Sequence, residues 1–450
     1  MISVTNRLWL RGAALALALS LSSGAAALAR PQPQAQTQTQ AQATAVPLAL
    51  DDAIALALKR NLQYREAQVA VESAQAQLQQ SRAPELPGVA VRDDYRYVNP
   101  VAKLSTPFGA LPFSTVSATN VPLVALQYTL YDGGLTAARV GQAVAGVAVA
   151  EASERETRGV VIARVTTAYY GVAAAIEMSA VANRAVAVAG AHVKEARELL
   201  AAGMIPRADL LRAQAEQANE QVNQIVAANG VNLAQTSLDS VLDVPLATVY
   251  RPTDALSAPA PSFDLKALLA SARVQRGELV AARAAVTAAR AAIADARSGY
   301  RPHVGVTVAD GDVQPAVTGG YHNQFSVGLN AVWTLFDHGY TAGRVAQARA
   351  GVERARLGVL DLENGIDLQV RQAYLNVRES SARVEAAKRL VVLADESLRL
   401  AQVRYRGGVG TALELQDAEL GDRSARQTLV GAQAALRRNV VQLRFAAGLL

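Results

Sequence analysis

The chain has 450 residues, a net charge of +6 and no cysteine. It is 51% hydrophobic but only 5% aromatic, a mix that suits long helices better than a mixed globular core, because its dominant residue, alanine, is the strongest helix former and adds little bulk. These figures exclude a disulfide framework and a lipid-attachment cysteine. The arginines are dispersed among glutamates with no basic cluster of interleaved aromatics, which argues against nucleic-acid binding.

At the N-terminus, Arg7 and Arg11 precede the apolar run GAALALALSLSS, and Ala27-Leu28-Ala29 forms a small-residue cleavage signal. Residues 1–29 therefore read as a secretory signal peptide, with an apolar core too short to span a bilayer. Residues 30–47 are a Pro/Gln/Thr-rich segment, disordered at its start by composition. Beyond it no uninterrupted apolar run approaches the roughly 20 residues of a transmembrane helix. An exported chain of this kind enters a membrane, if at all, by another route.

The first half, 48–244, opens with a helical pattern from Asp51 to about Arg82, ending before Pro84. Two strands follow, Val89–Val98 and Pro122–Tyr131. The second alternates cleanly, with Val124, Leu126, Tyr128 and Leu130 on one face and Ala125, Gln127 and Thr129 on the other. Then comes the phrase LYDGG, and from Gly134 to Ala202 there is no proline. A helix of that length would run about 100 Å at 1.5 Å per residue. It ends at a Gly-containing turn, AAGMIPRADLL, and a shorter helix returns from Arg207 to about Leu242.

Residues 245–263, with Pro245, Pro252, Pro259 and Pro261, read as a linker. The second half, 264–450, repeats the plan. A helix covers Leu265 to about Ser298, and FSVGLNAVWTLF alternates as a strand with Phe325, Val327, Leu329, Ala331, Trp333 and Leu335 on one face. LFDHG leads into a proline-free stretch from Gly339 to Arg406, and the turn RGGVGTALEL precedes a last helix, Thr411–Leu450. In that helix Leu429, Leu436 and Leu443 recur every seven residues, a coiled-coil seam.

The two halves keep one register. Leu130 matches Leu335, Asp132 matches Asp337, Gly134 matches Gly339, Arg139 matches Arg344, Tyr169 matches Tyr374 and Gly203 matches Gly408, all at an offset of 205. Upstream, Arg82 with Arg297, Pro87 with Pro302 and Val91 with Val306 hold an offset of 215, so the first half carries ten extra residues before Asp132. Period-two alternation over about ten residues is the pattern of a strand with one face in lipid. Four such strands cannot close a membrane barrel, and open edges cannot stand in lipid, where each unpaired backbone group costs several kcal/mol. Membrane strands of this chain therefore require oligomerisation, and three copies give twelve strands. At each junction the glycines supply freedom for the bend, and Asp132 is placed to cap the following helix. The glycine shared by both copies, Gly134 and Gly339, is the one the turn demands.

The paired junctions YTLYDGG and WTLFDHG, the two glycine turns and the 205-residue repeat resemble the TolC outer-membrane efflux protein family over nearly the whole chain, from about Val46 to Leu450. The resemblance implies an α+β membrane protein with an internal two-fold repeat of long helical hairpins and β-hairpins. It implies a homotrimer whose twelve-stranded β-barrel in the outer-membrane lipid continues as a periplasmic α-helical barrel. It further implies an exit duct that docks to a periplasmic adaptor and an inner-membrane transporter of the RND, ABC or similar class. YRGGVGTALELQDA is similar to the family's periplasmic entrance. There Glu414 and Asp417 fall where the family places acidic residues facing the pore, and their i, i+3 spacing puts both on one helix face. Three copies make rings of carboxylates, which favour cations. Tyr405 matches a tyrosine that helps hold the entrance closed, and Asp209 an acidic residue on the other hairpin. The family's basic partner falls on Gly410, so Arg207, Arg212 and Arg406 are the candidate substitutes. The turns at Gly203 and Pro206 and at Gly408 and Thr411 are the implied adaptor-docking tips.

No Gly-x-Ser-x-Gly elbow and no His-Glu-x-x-His occurs, and His192, His303, His322 and His338 have no metal-ligand spacing. GGVGTA follows a helix and lacks a lysine, so it reads as a helix-hairpin turn rather than a phosphate loop. No enzyme and no cofactor is expected. The rival reading, a secreted or periplasmic structural coiled-coil protein without a pore, accounts for the helices but not for the strands and the Asp-Gly junctions.

Overall fold

The computed structural model describes residues 46–97, 103–112, 118–246, 248–259, 261–313 and 322–450. The signal-peptide reading and most of the Pro/Gln/Thr-rich segment lie outside them. In the first half the order is β1 (Val46–Leu48), α1 (Leu50–Arg60), α2 (Leu62–Arg82), β2 (Gly88–Tyr97), β3 (Lys103–Thr106), β4 (Gly109–Pro112), β5 (Ala118–Tyr131), α3 (Leu135–Ala201) and α4 (Arg207–Leu242). Then follow β6 (Tyr250–Pro252), α5 (Leu265–Gln275), α6 (Gly277–Ser298), β7 (His303–Val313), β8 (His322–Val332), α7 (Tyr340–Arg406) and α8 (Ala412–Ala446). Helices α3 and α7 each have 67 residues.

Several boundaries differ from the sequence reading, each for a physical reason. The helix expected over 51–82 is two helices, broken at Asn61. Its backbone leaves the helical region (φ −56°, ψ 121°) and its side chain caps α2 by accepting from the Tyr64 N–H. The helix expected over 265–298 breaks at Arg276 in the same way (φ −60°, ψ 120°). The break lets Gly277 sit against the backbone of α3, where a Cβ would lie 2.4 Å from the Ala152 carbonyl. The strand expected to reach Phe336 stops at Val332. Its partner β7 begins at His303, opposite Val332, and the preceding Pro302 has no N–H to extend the ladder. The last helix stops at Ala446, where Gly448 (φ 71°) lets the Leu449 N–H reach the Arg444 carbonyl. The tail of the N-terminal segment and the linker are ordered enough to pair: β1 and β6 run parallel, Val46 opposite Tyr250. The β3–β4 hairpin lies within the first half's longer strand-to-strand connection.

Strands β2, β5, β7 and β8 form one antiparallel sheet in that order. The register puts Val89 and Val91 beside Leu126 and Val124, these beside Val308 and Asp310, and Val308 and Val306 beside Val327 and Leu329. One face is thus a nearly continuous apolar band across four strands. The other carries Arg92, Gln127, Thr307, Ser326 and Asn330. Val91, Phe325, Val327 and Leu329 are all exposed. Within the described residues β2 and β8 are edge strands.

The helical core follows heptad spacing. Val370, Val377 and Val384 of α7 and Leu436 and Leu443 of α8 share one buried cluster, with Leu429 packed against it. Each fully buried leucine contributes about 1.5–3 kcal/mol relative to exposure. In α3, Ala138, Ala145 and Ala152 are buried at the same interval, and a strict seven-residue repeat draws helices into a left-handed supercoil. One window of α3 is apolar enough to cross a membrane by composition, with mean hydropathy 1.4, although it contains no long unbroken apolar run. Half of that window is buried, because α3 packs against α2, α4, α6 and α8. Its hydropathy serves protein contacts on several sides. Tyr169 anchors this core to the linker, its hydroxyl donating to the Leu48 carbonyl at 2.8 Å and lying 2.7 Å from Asp254 Oδ2.

Candidate functional site

Three places in each half carry the residues singled out above: the strand-to-helix corner, the hairpin turn, and the first turn of the returning helix. At the first corner Asp132 accepts from the Gly134 N–H at 2.9 Å and the Thr136 N–H at 2.6 Å. At the second, Asp337 accepts from Gly339 at 3.0 Å and Thr341 at 2.7 Å. Each aspartate therefore satisfies two orphan donors of a 67-residue helix from two residues before its cap. Burial works against the Asp132 carboxylate, but the Thr136, Gly134 and Leu135 hydrogen bonds win and hold its pKa below the ordinary carboxyl value. Gly134 and Gly339 take φ 89° and 85°, beyond the range L-residues tolerate. Gly133 and His338, at φ 67° and 52°, lie in the left-handed well.

At the far ends, Gly203 (φ 73°) and Gly408 (φ 70°) close α3 and α7 in the same way. The Met204 N–H reaches the Leu199 carbonyl at 2.9 Å, and the Val409 N–H reaches Arg404 at 3.1 Å, the double closure that glycine permits. The turns lie side by side around a cavity of about 310 Å³ whose lining includes Met204, Pro206, Asp209, Tyr405, Gly408 and Thr411. Thr411 caps α8 by accepting from the Glu414 N–H at 3.1 Å, which fixes the orientation of Glu414.

Glu414 and Asp417 share one exposed face and line the groove between α7 and α8. Glu414 pairs with Arg404 across the turn at 2.9 Å. The three arginines considered from sequence go elsewhere: Arg406 reaches Glu195 of α3 at 3.0 Å, Arg212 lies 3.6 Å from Asp209, and Arg207 has no ion pair among the described residues. Sequence reasoning missed Arg404. Its signal was the glycine itself. At Gly410 a Cβ would lie 3.0 Å from the Tyr405 N and from the Arg404 Cβ, so the chain folds back closely onto the end of α7 and a side chain there requires its neighbours to give way. A positive charge nonetheless stands beside Glu414, on Arg404 near the end of α7.

Tyr405 is buried in a cluster with Leu398, Ala401, Ala412 and Leu415. Its hydroxyl has no hydrogen-bond partner. Burial raises its pKa, reinforced by the charges of Asp209 and Glu195. His192 of α3 stacks edge-on against it at 5.3 Å and lies 3.6 Å from Glu419, so this histidine is a core residue. Among the described residues no group of three or more His, Asp or Glu side chains is arranged to hold a metal ion.

Comparison with known proteins agrees with this architecture. The chain is 29% identical over 409 residues to the protein CyaE of Bordetella pertussis, covering 88% of this chain and 83% of that protein. It is 23% identical to the outer membrane protein TolC of Salmonella enteritidis, covering 87% and 80%. The fold matches the crystal structure of the outer membrane protein VceC from Vibrio cholerae with a TM-score of 0.76 at 19% identity, over 89% of this chain and 96% of that one. The family described as outer membrane efflux protein is matched over residues 53–243 and 268–449, and the chain belongs to that family.

Proposed function

We propose that this protein is the outer-membrane exit duct of a tripartite efflux or type I secretion system. Three copies close a twelve-stranded barrel, and their long helices continue it as a periplasmic α-helical barrel. The observation that carries this reading is the sheet. It is apolar on one face and polar on the other, has open edges at β2 and β8, and leads through two glycine corners into helices of 67 residues. A soluble coiled-coil protein has no use for an exposed apolar band of that size. Twelve strands enclose a lumen wider than side chains can fill.

In the assembly the turns at Gly203–Pro206 and Gly408–Thr411 meet a periplasmic adaptor, which links the duct to an inner-membrane transporter. Glu414 and Asp417 ring the entrance, with Asp209 and Tyr405 shaping it. The partners, rather than this chain, select the cargo. Purified protein in planar bilayers tests the reading: discrete cation-selective conductance is expected, blocked by multivalent cations. Replacing Glu414 and Asp417 with Ala is expected to weaken both selectivity and block. A chain that extracts without detergent and forms no conductance sinks the duct. Conductance with unchanged selectivity removes the two carboxylates from the pore.

A further inference from the structure

Helix α3 turns two faces to different surroundings. Val161, Val165 and Val172 are buried with Leu48 and Tyr250, so they carry the strap formed by β1 and β6. Val160, Arg164 and Gly171, each one residue earlier, line a groove instead. The returning helix α4 does the same: Leu238 and Leu242 are buried in the strap's cluster, whereas Ser237 and Val241 line the groove. One residue turns a helix by about 100°. The two helices are antiparallel, so the same step carries both rows of side chains to the opposite side of the pair. The linker beyond the strap also meets α8, where Arg437 donates to the Leu256, Ala255 and Ala258 carbonyls at 3.2, 3.2 and 2.6 Å. The groove is thus the side of the α4–α3–α8 layer that strap and linker leave open.

The groove has a volume of about 520 Å³, and Val160, Ala163, Ala234, Val241 and Phe445 make its walls apolar. Arg164 is the one charged residue in its lining. The Arg164 Nη1 donates to Gln63 Oε1 of α2 at 2.8 Å, and among the described residues it forms no ion pair with a carboxylate. The amide holds the guanidinium in place without neutralising it. Gly171 keeps the floor low. It lies inside α3, and a Cβ there would meet nothing within 4 Å, so neither conformation nor close packing requires a glycine. Glycine inside a helix costs about 1 kcal/mol relative to alanine, and the space it leaves here belongs to the groove.

We infer that this groove is a holding site for apolar monoanions, small acids whose hydrophobic body lies along the α3 floor and whose carboxylate or sulfonate reaches Arg164. A neutral ligand gains nothing from that guanidinium, and a cation is repelled by it. In the assembly the straps lie on the outer wall, because three of them inside the tube would fill the channel. The groove therefore opens on the lumen, once per chain. It stands about 55 Å from the hairpin turn, at 1.5 Å per residue from Arg164 to Ala201 of α3, so it is separate from the carboxylates at the entrance. The partners still choose what enters, and the groove retards apolar anions on their way out. This names a substrate class for the duct and rests on that reading for its place in the lumen, whereas the groove itself is built by one chain.

Equilibrium dialysis of the full-length protein in nonionic detergent against naphthalene-2-sulfonate, with detergent alone as the blank, tests the site. One saturable site per chain is expected. Arg164→Gln is expected to weaken it roughly tenfold, as for loss of a charge-assisted hydrogen bond. Gly171→Leu is expected to abolish it by filling the floor, with helical circular dichroism retained because leucine favours a helix over glycine. Naphthalene-2-methanol, the neutral counterpart, is expected to bind weakly and alike in wild type and Arg164→Gln. In planar bilayers the sulfonate, added on the barrel side so that it need not pass the entrance carboxylates, is expected to interrupt the current of wild type and not of Gly171→Leu. No saturable binding, or binding that neither substitution changes, overturns the groove and leaves the duct standing. Loss in Gly171→Leu alone overturns the preference for anions. Binding in dialysis with an uninterrupted current overturns the place in the lumen. Absence of any conductance overturns the duct, while dialysis still decides the site.

Discussion

The two corners where strand becomes helix are built to one plan and differ at one position. Both use an aspartate that accepts two helix N–H groups, and both place a glycine near φ 85–89° just before the helix. Between these stands Gly133 in one and His338 in the other. The backbone does not account for the difference, since φ values of 67° and 52° both lie in the left-handed well. The neighbour does. A Cβ at Gly133 would lie 2.9 Å from the Arg301 Cβ and 3.0 Å from the Ser298 carbonyl, and Arg301 Nη1 donates to the Gly133 carbonyl at 3.0 Å. The counterpart of Arg301 is Leu86, which is exposed. One glycine is thus required by conformation and the other by what packs on it.

Exchanging the two residues breaks the comparison if it is wrong. Gly133→His is expected to cost about 2–4 kcal/mol, from overpacking against Arg301 and added left-handed strain. His338→Gly is expected to change stability by less than about 1 kcal/mol, because relief of strain offsets the greater freedom of the unfolded chain. Helical circular dichroism against temperature measures both. Equal losses would show that the corner depends on φ alone.

The aspartates sharpen the contrast at a smaller scale. Asp132→Ala removes two capping bonds at a partly buried corner and is expected to cost about 1–2 kcal/mol. Asp337→Ala is expected to cost less, because its corner is more exposed. Both carboxyls are held below the ordinary range, Asp132 by hydrogen bonds that outweigh burial, Asp337 by those from Thr341 and Gly339. A lowered folded pKa gives stability that is fully present above the unfolded value of about 3.9 and lost as pH falls through the folded one. The gap between wild type and the alanine variants is therefore expected to stand at neutral pH and to close in acid. A gap that persists in acid after the carboxylates are protonated assigns the loss to packing, not to the carboxylate.

These corners were legible in the sequence because Asp-x-Gly before a long proline-free run leaves few conformations open. So were the lengths of α3 and α7, since nothing between the glycines interrupts them. The breaks at Asn61 and Arg276 were not. Neither residue is a strong helix breaker, and Arg276 leaves the helix to let Gly277 reach α3, a demand set by tertiary contact. The early stop of β8 has the same origin, since strand length depends on what Pro302 leaves unpaired in the neighbour. At the entrance the i, i+3 spacing put Glu414 and Asp417 on one helix face, and both are exposed there. It could not show Arg404 reaching across the turn, because that distance depends on how tightly Gly410 folds back.

The smallest expected effect on stability separates structure from function at the far ends of the same helices. Arg404 and Glu414 are about half exposed, and such a pair contributes roughly 0–1 kcal/mol. The Tyr405 hydroxyl is buried without a partner, so Tyr405→Phe leaves no donor orphaned and removes one. Neither Arg404→Ala nor Tyr405→Phe is therefore expected to move the thermal midpoint measurably. Their effects belong in the bilayer and differ in kind. Arg404→Ala leaves the Glu414 charge uncompensated beside Asp417, so block by multivalent cations is expected to strengthen severalfold with little change in single-channel conductance. Arg406→Ala, which breaks the link from α7 to Glu195 on α3, is expected to alter the open fraction instead, because that link joins the two hairpins. If both arginine variants change block alike, the positive charge at the entrance acts as a diffuse field and the Arg404–Glu414 contact has no separate role. If Tyr405→Phe raises the open fraction with an unchanged midpoint, its hydroxyl finds a partner in a neighbouring copy, and the tyrosine closes the entrance between copies rather than within one.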